Sequence, residues 1–243
     1  MIDENVNHSI QDSINELKSQ LVSKVIINVP LEAEAAQKIA TDNDDIVCLF
    51  LDVDPYSSVF NVSFNPADGT RASVKYLYEL GHSDIALLAG PTSSVSAQLR
   101  LKSWIETLKG YGLEPASVIR GNWDAQSGYS GALQMLRETA QFTAVLVAND
   151  QMALGVLSAF HQQQISIPGE KSVIGYDDTY ESSFFYPALT TVSLDLDLQG
   201  KEAVRRILDS GEENAQRMSS ILPARLVVRQ STGPKGEKGK NLQ

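Results

Sequence analysis

DGTRASVKYLYELGHSDIALLAGPTSSVSAQLRLKSW, residues Asp68–Trp104, switches from helical to strand spacing and back within 37 residues. Apolar residues recur at helical spacing over Gly69–Leu80, and Gly81 closes that helix. Asp84–Ala89 (DIALLA) follows, a strand-length run that is apolar on both faces. Ser93 and Ser94 suit N-caps, and helical spacing resumes over Ser96–Gly110. A strand with no polar face must be covered on both sides, so this segment reads as helix, buried parallel strand, helix.

The same rhythm extends both ways. Strands are expected at Lys24–Val29, Ile46–Leu51, Val59–Phe64, Ser117–Arg120, Ala144–Ala148, Ser172–Tyr176 and Thr190–Leu194. Helices are expected at Ser9–Leu21, Glu32–Thr41, Ser127–Thr139, Gln151–Gln163 and Leu198–Ser210, with Gly110 and Gly211 as further closing glycines. Alternating strands and helices predict an α/β protein with doubly wound parallel sheets, and 243 residues allow two of them.

Composition narrows the function. The chain carries a net charge of −10, and because its last ten residues hold three Lys and one Glu, the first 233 carry −12. Such a surface has no net attraction for phosphate backbones, so these residues are not expected to hold nucleic acid by themselves. The single cysteine, Cys48, reads as a buried strand residue. No run reaches the ~18 apolar residues of a membrane span, and the start MIDENVNHS shows no export signal, so a cytoplasmic protein is the expectation. His8, His82 and His161 have no metal-like spacing, His82 reads as structural, and no metal or cofactor is expected. Nucleophile-elbow, phosphate-loop and zinc-protease motifs are missing from the chain.

Polar residues gather where strands end. Asp52 follows LFL, Asn149 and Asp150 follow AVLVA, Asp177 and Asp178 follow SVIGY, and Asn28 follows KVII. Parallel α/β sheets bind ligands outside these carboxyl ends, although Asp and Asn also simply turn chains and cap helices. Ser96 and Arg100, four apart, share a helix face, and Trp123 sits in the polar loop GNWDAQSGY. Carboxylates accept from hydroxyls, a guanidinium donates to paired oxygens, and an indole covers an apolar C–H face. Together they predict a cleft that reads a sugar. The carboxylate pairs Asp52/Asp54 and Asp195/Asp197 leave a glycosidase as a rival, using Asp52 with Asp177.

The Asp68–Trp104 stretch, VLVANDQMALG, SVIGYDDT and PALTTV resemble the lac repressor family of transcriptional regulators, over residues 6–230. The resemblance implies two lobes, periplasmic-binding-protein-like: an N-terminal lobe of 1–64 plus 194–223, a C-terminal lobe of 65–193 plus 224–233, and a tail of 234–243. It implies sugar contacts at Asp52, Phe64, Ser96, Arg100, Trp123, Asn149, Asp177, Leu196 and Gln199 in a cleft between lobes, with no catalytic residue. Phe64, Leu196 and Gln199 enter by resemblance alone. Leu196 and Gln199 stand where the family pattern has Phe and Leu, and Leu194 replaces a Gln, so the resemblance does not fix the galactoside, and a glycoside with more polar substituents would be consistent with Gln199. By this resemblance the given residues are expected to lack the family's DNA-binding headpiece, the first strand and helix of the N-terminal lobe, and a leucine-heptad tail.

Phe184, Phe185 and Tyr186 cannot all enter one core from a loop. The resemblance makes them, with the Asn149–Gln163 helix, a dimer interface. The expected function is the effector-binding and dimerisation core of a repressor, not an enzyme. Its partners would be a galactoside-like sugar and a second copy, with operator DNA reached through a headpiece. A periplasmic sugar-binding protein of a transporter is the alternative.

Overall fold

Asp68–Trp104 forms the predicted helix, strand and helix. In the computed structural model these are α3 (Pro66–Glu79), β4 (Ile85–Ala89) and the start of α4 (Val95–Gly110). The structure describes residues 4–138, 141–210 and 219–236, with side chains from residue 9 onward. The chain divides into two compact units. One comprises Met1–Asn65, Ser93–Ser96 and Asp195–Pro223; the other comprises Pro66–Thr92, Ala97–Leu194 and Ala224–Gln243.

The first unit holds α1 (Glu4–Ser19), β1 (Lys24–Ile27), α2 (Ala33–Asp42), β2 (Val47–Phe50), β3 (Val62–Phe64), α7 (Leu196–Asp209) and β9 (Ser220–Leu222). β1 pairs in parallel with β2, β3 in parallel with β9, and a parallel bridge from Phe50 to Asn61 links the two pairs. Alternation along β2 decides its layers. Cys48 and Phe50 pack with Ile14, Ala36 and Ile39 of the helices on one side. Leu49 packs with Ala203 and Ile207 of α7 on the other. The strand is apolar throughout because both its faces are covered.

The second unit is built on six strands in the order β10-β8-β7-β6-β4-β5. They are β5 (Ser117–Arg120), β6 (Ala144–Val147), β7 (Ser172–Asp177), β8 (Thr190–Leu194) and β10 (Ala224–Val227), with β4 as above. All pairings are parallel except β8 with β10, which is antiparallel. Every residue of β4 and β6 is buried. The order reverses between β4 and β6, because the connection after β4 runs to β5 on one side and the chain then returns to β6 on the other. That reversal opens a crevice at the carboxyl ends of these two strands.

α5 (Ala125–Glu138) and α6 (Asp150–Gln162) cross at backbone distance. A Cβ at Gly155 would lie 1.9 Å from the Ala125 carbonyl oxygen, and one at Gly128 would lie 2.0 Å from that of Met152. Both positions therefore require glycine.

Several expectations need correction. Gly110 is the last residue of α4 rather than its closing glycine; Gly112, at φ +72, takes the left-handed conformation two residues on. Val59–Asn61 lie outside the strand expected at Val59–Phe64. β9, β10 and a 3₁₀ turn at Tyr180–Phe184 carry no periodic signal that predicted them. Gly211 falls outside the described residues. Gly81 closes α3 at φ +88, and His82 is buried against Thr143, Ser172 and the Gly233 carbonyl, as a structural histidine should be. Lys235 is tied to Asp84 at 3.0 Å.

Candidate functional site

The strand-end residues of the second unit meet around Arg100. α4 presents its guanidinium, which is buried and donates from Nη1 to the Ala148 carbonyl at the end of β6. The guanidinium carbon lies 3.5 Å from the ring centroid of Tyr176 and 5.9 Å from that of Trp123. Nη2 is 3.8 Å from Asp177 Oδ1, an ion pair longer than a hydrogen bond. Three strands and one helix thus contribute to a single charged centre beside the β4/β6 reversal.

Trp123 follows β5 and rests on the end of β4. A Cβ at Gly90 would meet its ring at 2.5 Å, so Gly90 is the seat that lets the indole lie against the backbone. Asn149 joins this loop to α6: its Nδ2 donates to the Trp123 carbonyl at 2.9 Å, and its Oδ1 caps the helix by accepting from the Met152 amide at 2.9 Å. Asn149 therefore acts as cap and clip, the plainer of the two roles open to a strand-end Asn.

Asp177 is the most perturbed acid of the site. Burial among protein atoms pushes its carboxyl up to about 7, while Arg100 pulls it down and Asp150 pushes it up. About 35% of its side chain still meets solvent, so the carboxyl can be reached. Among the described residues its carboxylate accepts no hydrogen bond, and a hydroxyl arriving beside Arg100 would supply one. Backbone strain gathers here as well. Trp123 (φ +83), Asp177 (φ +110) and Asp178 (φ +56) are three of the five left-handed non-glycine residues among those described. Each such residue costs about 1–3 kcal/mol, and such costs cluster where a side chain must be aimed.

The first unit carries the other sugar candidates. Asp52 follows β2, and its carbonyl accepts from the Leu31 amide. Phe64 ends β3 and is half-buried. The Ser96 hydroxyl lies 3.0 Å from that of Ser94. Leu196 opens α7 and is exposed. Gln199 is buried, and its Nε2 donates to the Val62 carbonyl at 2.8 Å, so that amide nitrogen braces α7 against β3. Three members of the Asp52/Asp54 and Asp195/Asp197 pairs have local partners. Asp54 accepts from the Tyr56 amide, Asp195 caps α7 through the Leu198 amide, and Asp197 pairs with Lys201. No group of three metal-ligating side chains occurs among the described residues.

The aromatic loop divides. Phe184 is 71% and Tyr186 93% exposed, whereas Phe185 turns in to pack on the large core. Tyr180, also exposed, lies 5.3 Å from the Phe184 ring.

Sequence reasoning missed Tyr176 as the platform under Arg100. It also missed the pairing of Asp178 with Arg229 at 2.6 Å. The Asp doublet was visible, but its partner lies 51 residues away with no motif around it.

Residues 74–232 match the periplasmic binding protein-like domain family. The lactose operon repressor of Klebsiella pneumoniae is 45% identical over 226 residues, 93% of this chain and 64% of that protein. That of Escherichia coli K12 is 40% identical over 232 residues, 96% of this chain and 64% of that protein. A lac repressor dimer solved with operator and the anti-inducer ONPF superposes with a TM-score of 0.90 at 40% identity, covering 93% of this chain and 79% of that one. The chain belongs to the lac repressor family. It spans 64% of the length of those two curated relatives. For a lac repressor family member, the α/β architecture and parallel-dominated sheets are as the Asp68–Trp104 reading predicts.

Proposed function

We propose that these residues are the effector-binding and self-associating core of a lac-type transcriptional repressor whose effector is a galactoside-like sugar. The observation that carries this reading is the gathering of Arg100, Trp123 and Asp177 at the carboxyl ends of β5, β6 and β7, on strained backbone. Arg100 would donate to paired sugar oxygens, Asp177 would accept from a hydroxyl, and Trp123 would cover the apolar ring face. Asp52, Phe64, Ser96, Asn149, Leu196 and Gln199 complete the set by resemblance.

Relatives named as repressors, and a dimer solved on operator DNA, support the regulatory role. With a charge of −10 these residues have no net attraction for DNA, and operator contact would fall to a headpiece outside them. Exposed Phe184 and Tyr186 supply a self-association surface. A sugar can bias a repressor only by binding one conformation better than another, and in a cytoplasmic dimer that bias would reach the operator through the headpieces. Such a protein is a sensor, not a catalyst.

Thermal melting with and without a thiogalactoside tests the reading. The wild-type chain should be stabilised by the sugar, and Arg100→Ala and Asp177→Ala should each lose that stabilisation. Survival of the stabilisation in both variants would place the sugar elsewhere.

A further inference from the structure

Asp150 lies in the first turn of α6, fully buried, and its carboxylate serves the opposite wall of the site. Oδ2 accepts from the Thr179 amide at 2.9 Å and from the Thr179 hydroxyl at 3.4 Å. Oδ1 accepts from the Thr191 hydroxyl on β8 at 2.6 Å. A Cβ at residue 175 would sit 2.3 Å from that oxygen, so Gly175 leaves the space the carboxylate fills. Thr179 directly follows Asp177 and Asp178, two successive left-handed residues. A short loop does not hold that conformation unless something fixes its end. The Asp178–Arg229 ion pair fixes it from one side and Asp150 from the other.

We propose that Asp150 is a positioning residue for the Asp177 carboxylate, holding the Asp177–Thr179 turn so that this carboxylate stands beside Arg100. The proposal deepens, and rests on, the reading of Asp177 as a sugar contact.

Pinning alone does not require an acid. An Asn at 150 could accept from the Thr179 amide and donate to the Thr191 hydroxyl. The charge has a further effect, because it raises Asp177 against the pull of Arg100. Asp150 is itself raised by burial and by Asp178. The ionisable groups facing the pair are Arg100 on α4, Tyr176 and Asp178 on β7 and its turn, and Arg229 beyond β10, with Asp68 of α3 acting on Tyr176. Asp177 is thus poised between its two protonation states near neutral pH, and an accepting contact to a sugar hydroxyl favours the ionised one.

The test uses the full chain with Asp carboxyl carbons labelled for NMR, the Asp177 signal being assigned by its loss in D177N. The ligand-free wild type should titrate at Asp177 near 7, and D150N should titrate at lower pH. Isopropyl thiogalactoside should bind wild type roughly tenfold more tightly at pH 8 than at pH 6, as expected for one required ionisation between them. In D150N that ratio should shrink. Thr191→Val keeps the charge but loses one donor; it should weaken binding at both pH values and leave the ratio intact. An Asp177 midpoint unmoved in D150N would overturn the charge effect of Asp150, and thiogalactoside binding left at full strength in Thr191→Val would overturn its positioning role. A wild-type chain that binds no thiogalactoside at either pH would overturn the sugar reading instead.

Discussion

Arg100 touches four groups in the second unit, and each contact constrains what Asp177 can do. The Ala148 carbonyl and the Tyr176 ring hold the guanidinium in place, and Trp123 borders it. What remains is an ion pair at 3.8 Å, loose enough for a ligand hydroxyl to engage both partners. A hydrogen bond to a charged group contributes about 1.5–3 kcal/mol, so Arg100→Lys, which loses the planar fork, should weaken thiogalactoside binding by at least about tenfold in calorimetry. Asp177 also links stability to pH. Its carboxyl titrates near 3.8 when unfolded and about 7 in the fold. Between those values the folded chain holds a proton the unfolded chain has released, so stability falls as pH rises through the window and the full cost is present above 7. Asp177→Asn should therefore melt higher than wild type at pH 8, with the gain vanishing towards pH 4. With about a third of the side chain in contact with water, the gain should be modest. An equal gain at both pH values would show that ionisation is not the cause.

At the scale of elements, the site depends on how closely α5 and α6 approach. Gly155→Ala would press a methyl group to 1.9 Å from the Ala125 carbonyl, which backbone cannot relieve cheaply. Overpacking of this kind costs about 1–3 kcal/mol, so this variant should melt several degrees lower in calorimetry. Because Asn149 caps α6 and clips the Trp123 loop, sugar binding should weaken along with stability. The elements that position the site were legible in sequence because buried parallel strands are continuous apolar runs, as in IALLA and AVLV. β9 and β10 were not legible. They are short, half-exposed and mixed in composition, and β10 is recruited by an antiparallel partner rather than by a pattern of its own. Arg100, Trp123, Asn149 and Asp177 could be picked out because strand ends and helix starts concentrate such residues. What each side chain touches could not. Only tertiary packing puts Tyr176 under Arg100, turns Gln199 to the Val62 carbonyl, and separates Phe185 from its neighbours.

For the whole molecule, sensing and self-association belong to one regulatory reading. Phe184 and Tyr186 project together from the turn that follows Asp177 and Asp178, and large aromatics left in solvent mark contact surfaces. Phe184→Asp with Tyr186→Asp should shift sedimentation towards a monomer while leaving the far-UV spectrum unchanged. An unaltered sedimentation coefficient would place the interface elsewhere. The charge of −10 gives these residues no net attraction for a phosphate backbone, which is consistent with the proposed sensing role. The most direct measurement of the central claim is calorimetric titration of a thiogalactoside into the wild-type chain and Asp177→Ala at pH 8. The wild type should show one saturable site per chain, and the variant a loss of affinity of about tenfold or more. Equal affinity in the two proteins would contradict that claim.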